Sequence, residues 1–131
     1  MSGLLLDTCV FLWLIWDEPP LHTGVRERLA DPGETLFLSA VSVWEATVKH
    51  ARGRLVVRAP QPAWQHFTEE RMRHGIEPLP VSEQDVRHLA ALPPVHADPF
   101  DRLLICQAIE NGLTLVTPDR HIRRYPIKTF W

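Results

Sequence analysis

No stretch of this 131-residue chain is apolar for long enough to cross a bilayer. The longest apolar run, Val10 to Trp16, falls well short of the about 20 residues a spanning helix needs. Met1-Ser2-Gly3 carries no basic region and no cleavage-site pattern, so no secretion signal is expected. Cysteine is scarce. Cys9 and Cys106 form no spacing motif, which argues against a disulfide framework and a zinc knuckle, and both read as reduced, buried small residues of a cytoplasmic protein. None of the seven histidines has zinc-ligand spacing with cysteine, and His96, beside Asp98, reads as a loop residue. An excess of one charge is also lacking: the net charge is −2, unlike a polybasic nucleic-acid binder. That balance still permits an enzyme that meets nucleic acid through a local basic surface and a metal. With no repeat, low-complexity tract or long linker, residues 1–131 read as one domain.

What is present is an alternation of short apolar strands and amphipathic helices. Leu4 to Leu6 reads as a buried strand, followed by an apolar helix from Thr8 to Trp16 that Pro19-Pro20 ends. A second helix is expected over His22 to Leu29, a strand over Thr35 to Leu38, and a helix from Ser39 to near Gly53 carrying Val41, Trp44, Val48 and Ala51. Ala63 to His74 reads as helix and Ile76 to Val81 as an extended piece. Ser82 onward reads as a helix with Val86, Leu89, Ala90 and Leu92 on its apolar face. Asp98 to Glu110 is a further helix, Leu113 to Thr117 a strand, and Ile127 to Trp131 a last extended segment after a helical turn. Such alternation predicts an α/β fold with a mostly parallel sheet, whose ligands gather outside the carboxyl ends of the strands.

Five acids fall where these elements begin or end. Asp7 closes the first strand, Asp119 follows the last apolar strand, Asp98 and Asp101 open a helix, and Glu45 lies early in another. Each has an ordinary explanation. Asp98-Pro99 with Asp101 resembles a capped helix start, Ser42 to Glu45 matches a capping box, and Thr117-Pro118-Asp119 is a further cap pattern. Asp7 is the hardest to assign to capping alone. Carboxylates gathered from distant segments repel one another unless a cation lies between them, so the set is also a candidate site for a hard, oxygen-seeking ion such as Mg²⁺ or Mn²⁺. The two readings are compatible, since the positive end of a helix stabilises a nearby anion.

In order, Leu4-Leu5-Leu6-Asp7-Thr8, Ser39 to Glu45, His96-Ala97-Asp98-Pro99-Phe100-Asp101-Arg102-Leu103-Leu104-Ile105 and Leu113 to Asp119 resemble the PIN-domain ribonucleases, and among them the VapC-like toxins of toxin–antitoxin pairs. The resemblance spans Leu4 to about Ile122. It implies a three-layer α/β/α fold around a mostly parallel sheet of four to five strands. It also implies a Mg²⁺-dependent endoribonuclease, with Mn²⁺ as a substitute, that leaves a 5′ phosphate and a 3′ hydroxyl. The family's acids fall on Asp7, Glu45, Asp101 and Asp119. Asp7 and Asp101 would hold the ion directly, and Glu45 and Asp119 would bind a second ion or orient the attacking water. Asp98 is an extra acid, open between a supporting ligand and a cap, and Thr117 is open between a hydroxyl supplied to the site and a cap. A small antitoxin whose segment covers the site is the implied protein partner, and a homodimer is an expectation from the apolar segments named below.

Lys49, Arg52 and Arg54, at the end of the Glu45 helix, and Arg102 beside Asp101 are candidate contacts to RNA phosphates. For the first three the alternative is a solvated helix end, and for Arg102 an ion pair with a carboxylate. Phe11 to Trp16 and the helix around Trp64 and Phe67 are candidate partner surfaces, with packing inside the fold as the alternative. A dehalogenase-type phosphotransferase would want a second Asp where Cys9 stands, and a receiver-type domain would want paired acids after the first strand. The remaining rival is a noncatalytic PIN-like module that holds RNA or protein without cutting.

Overall fold

A computed structural model describes residues 2–131. Five strands, β1 (Leu4–Leu6), β2 (Leu36–Ser39), β3 (Glu77–Leu79), β4 (Thr114–Val116) and β5 (Thr129–Phe130), form one sheet in the order β3-β2-β1-β4-β5. All four pairings are parallel. Six helices accompany them: α1 (Thr8–Ile15), α2 (Thr23–Ala30), α3 (Ala40–Ala51), α4 (Ala63–Arg73), α5 (Glu83–Val86) and α6 (Pro99–Asn111). The expected α/β sandwich with a parallel sheet of up to five strands is therefore what forms.

The central strand shows why its sequence reads Leu-Leu-Leu. Both faces of β1 are covered, as in parallel sheets generally, so alternation of polar and apolar residues disappears. Leu4 and Leu6 join a core with Val10, Phe11, Val25 and Phe67 on one side. Leu5 joins Leu104, Ile105, Leu115 and Ile122 on the other. From β1 the chain builds outward to β2 and β3, then returns across the sheet to β4. The order thus reverses beside β1, and the crevice at the carboxyl ends of β1 and β4 is where a doubly wound sheet places its ligands.

One expected element is shorter than its pattern. The segment after Ser82 forms only the four-residue α5, a turn, and a 3-10 helix over Leu89–Ala91. Asp85, not the apolar residues, faces inward: it is buried and accepts the Ser82 N–H at 2.7 Å in a capping box, while Val86 and Leu89 lie exposed. Of the expected apolar face only Leu92 is buried. The Phe11 to Trp16 and Trp64/Phe67 segments mostly pack inside, as the alternative to a partner surface has it. Phe11 and Phe67 are core residues, Trp13 and Trp16 are half-buried, and only Trp64 is exposed. Trp131 docks against Trp13 and, edge-on, against His22.

Candidate active site

Asp7 stands at the end of β1, at the N-cap position of α1, yet its carboxylate makes no capping hydrogen bond. Instead Oδ2 accepts the hydroxyl of Thr117, at the end of β4, at 2.6 Å. The same Thr117 oxygen accepts the Asp119 N–H at 3.0 Å, so one hydroxyl ties together the turns that follow the two central strands. Thr117 thus braces the turn after β4 and holds one Asp7 oxygen, and it caps no helix. Asp119 divides its oxygens. Oδ1 accepts the N–H groups of His121 and Ile122 and pins the turn, leaving Oδ2 toward the pocket.

Glu45 arrives from α3. The cap of α3 is Ser39, whose hydroxyl accepts the Val41 N–H at 3.0 Å, so the expected Ser42–Glu45 capping box does not form. Ser42 and Glu45, three residues apart on one helix face, turn inward to α1. The Thr8 hydroxyl lies 2.9 Å from Ser42 Oγ and donates to Glu45 Oε1 at 2.6 Å, while Lys49 Nζ lies 3.2 Å from the other Glu45 oxygen. Asp98 caps α6 through Phe100 N at 2.8 Å and Asp101 N at 3.4 Å, with Pro99 at the first helical position. That places Asp101 in the first turn, at the positive end of α6.

The structure therefore gathers Asp7, Glu45, Asp101 and Asp119 at one crevice, three of them buried. Their mutual effect is visible in their acidity. Burial pushes the Asp101 carboxyl up to about 8, and the charges of Asp7, Asp98, Glu45 and Asp119 push in the same direction. Burial also raises Asp7 above the ordinary carboxylate range, against the Thr117 hydrogen bond and with help from Glu45 and Asp119. Cys9, next to this cluster, has its thiol pushed up by burial and by Asp7. It stays protonated and is only half-buried, less than expected.

Such a cluster has a pH signature. The Asp101 carboxyl titrates higher in the fold than the ordinary 3.8, so the native state holds an extra proton between those values. The stability this group contributes is full below about pH 4, is lost as pH rises from there to about 8, and is gone above that. Thermal melts in chelator should show this decline, and Mg²⁺ or Mn²⁺ should reverse it most strongly at the alkaline end. A melting temperature indifferent to divalent ions at pH 8.5 would contradict a cation-holding pocket.

One neighbour escaped the sequence reading. His96 lies in the pocket, its Nε2 2.8 Å from Asp101 Oδ2 and 3.4 Å from Asp119 Oδ2. No periodicity or ligand spacing marks it. Arg102, beside Asp101, holds the loop that carries His96: its Nη1 donates to Pro93 O at 3.2 Å and to the Tyr125 hydroxyl at 3.2 Å. Lys49 is committed to Glu45, whereas Arg52 and Arg54 are exposed and make no ion pair among the described residues. Arg120, Arg123 and Arg124, three arginines within five residues after Asp119, are also exposed, a basic run visible in the sequence but passed over.

A parallel sheet with a carboxylate-lined crevice at its reversal point defines an α/β domain whose acids lie where such folds place their ligands. The comparisons place the chain more closely: it belongs to the PIN domain family, whose signature matches residues 4–128. It is 31% identical to Ribonuclease VapC22 of Mycobacterium tuberculosis over 127 residues, which cover 95% of this chain and 93% of that protein. Its fold is similar to that of VapBC2 from Rickettsia felis, solved bound to a promoter DNA fragment (TM-score 0.74, 18% identity, 100% of this chain and 99% of that one). DNA-bound VapBC from Salmonella typhimurium is also similar (TM-score 0.71, 20% identity, 99% and 98%).

Proposed function

We propose that this PIN domain is a metal-dependent endoribonuclease acting as a VapC-like toxin in the cytoplasm. The observation that carries the reading is the convergence of four acids at one crevice, with the Asp101 carboxyl raised to about 8. Evolved folds rarely keep buried like charges together without a counter-ion. The donor set is oxygen-rich, which suits Mg²⁺ or Mn²⁺. Asp7 and Asp101 would hold the ion directly, with Glu45 and Asp119 completing a second position or orienting water. When bound, the ion supplies charge neutralisation at the scissile phosphate and a more acidic attacking water.

The chain's own residues supply the rest. Thr117 keeps Asp7 in place, and Thr8 keeps Glu45 in place, each through a hydroxyl hydrogen bond of 2.6 Å. Oriented carboxylates reduce the reorganisation needed when phosphate and water arrive. Arg52, Arg54 and the Arg120–Arg124 run would meet RNA phosphates, while Arg102 acts on the protein itself. Incubation of the purified chain with RNA is the test: cleavage with Mg²⁺ or Mn²⁺, abolished by chelator, and new 5′ phosphates on the products. Metal binding with no cleavage of any RNA would favour a noncatalytic module.

The likeness to VapBC structures supports an antitoxin partner, and a segment of it would cover the pocket. A homodimer is supported by a separate face. Trp44 is 63% exposed and Val81 42% exposed, and between them Val41, Phe100 and Leu103 line a groove of about 290 Å³. A ridge beside a groove is self-complementary under two-fold symmetry, so each Trp44 can fill the partner copy's groove. Light scattering after size exclusion should give twice the 15.1 kDa chain mass, and Trp44→Glu should give a monomer with an unchanged melting temperature. A wild-type monomer at micromolar concentration would remove the dimer.

A further inference from the structure

We infer that His96 is a positioning residue for the acidic pocket: its Nε2–H steers the pocket-facing oxygens of Asp101 and Asp119 without itself becoming a ligand. The inference rests on the reading of those two acids as metal-holding groups. Three observations carry it.

The first is the tautomer. Asp98 N–H donates to His96 Nδ1 at 3.2 Å, which occupies that nitrogen's lone pair. A neutral imidazole has one N–H, so the proton resides on Nε2, the atom that faces the acids. To ligate a cation through Nε2, the ring would have to move its proton to Nδ1 and break the contact with Asp98. The resting geometry is that of a donor.

The second is direction. Nε2 is shielded from solvent and lies 2.8 Å from Asp101 Oδ2 and 3.4 Å from Asp119 Oδ2, but is aligned for a well-formed hydrogen bond with neither. One N–H thus stands between two carboxylate oxygens, close enough that a small turn of either acid would make it a donor to that acid. One ligand atom each of His96, Asp101 and Asp119 lies within 4.8 Å of the others, close enough to share a cation, so the ring borders the space an ion would take whether it donates or ligates.

The third is support. The His96 backbone N–H donates to the Tyr125 hydroxyl at 2.9 Å, and Arg102 Nη1 reaches the same hydroxyl at 3.2 Å and the His96 carbonyl at 3.5 Å. Tyr125 is itself buried, in the core beneath α6. The His96 backbone is thus held on both sides, and its ring by the Asp98 N–H. Groups that orient a metal's ligands through hydrogen bonds commonly change affinity by about 10–100-fold when removed.

The experiment is Mn²⁺ titration by calorimetry on wild type, His96→Ala and His96→Gln, with nitrogen-coupling spectroscopy of the bound Mn²⁺. Wild type should bind with no directly coordinated imidazole nitrogen. His96→Ala should bind about 10–100-fold more weakly while melting within a few degrees of wild type. His96→Gln, whose amide keeps an N–H near the same place, should recover most of the affinity. A strong coordinated-nitrogen signal lost in His96→Ala would overturn the positioning role in favour of a ligand. Unchanged affinity in His96→Ala would overturn it outright while leaving the metal pocket standing. No Mn²⁺ binding by wild type would remove the pocket reading and this inference together.

Discussion

Asp7→Asn should lower RNA cleavage by about a hundredfold or more, equivalent to about 2.7 kcal/mol of lost transition-state stabilisation, and should at the same time raise the melting temperature of the metal-free protein. The two effects share one cause. Asp7 is buried, held above the ordinary carboxylate range by that burial and by the charges of Glu45 and Asp119. An amide at the same place keeps an oxygen to accept the Thr117 hydroxyl, so the turn after β4 retains its tie. What is lost is a negative charge that the fold tolerates poorly and that the proposed reaction would need. Cleavage assays beside thermal melts in chelator check both halves. Undiminished activity would remove Asp7 from the chemistry, and a falling melting temperature would mean its charge is stabilising.

Phe67→Ala should cost about 3–5 kcal/mol, the largest stability effect expected from any single truncation here. Phe67 is wholly buried on α4, packed with Val10, Phe11 and Ile76 in the core that Leu4 and Leu6 of β1 also enter. Its ring is tilted against Trp16 at 6.3 Å, so truncation opens a cavity under the end of α1. Against a total stability of about 5–15 kcal/mol, that loss is a fifth or more. Trp64, three residues earlier on the same helix and 55% exposed, provides the control: Trp64→Ala should change stability by no more than about 0.5 kcal/mol. Urea denaturation of both variants decides the matter. Equal losses would mean that α4 buries a different face.

These residues also show what the sequence could and could not disclose. Strand ends were legible because Leu4-Leu5-Leu6-Asp7 and Leu113 to Asp119 switch abruptly from apolar to acidic, and a parallel sheet aligns such ends at one edge. The cap of α6 was legible because Asp-Pro has few other uses at a helix start. Less local facts were hidden. Periodicity gives a helix two faces without saying which neighbour covers them, so Trp44 and Phe67 looked alike, although one is exposed and the other buried. Ser42 to Glu45 satisfied a capping pattern, yet Ser39 takes that role because the helix begins one residue after it. His96 enters the pocket from a loop, where side-chain direction follows from the contacts of Tyr125 and Arg102 and from no repeat in the chain.

The bond between Thr117 and Asp7 joins residues 110 positions apart, and β1 finds its β4 partner only after Thr114 has been made. On a ribosome, therefore, the first acid waits through nearly all of synthesis for the group that holds it. A prematurely terminated product lacking the last fifteen residues has no Thr117 and no Asp119, and so no way to close the crevice. On the proposed reading, no RNA is cut until the segment carrying Thr117 and Asp119 has been made.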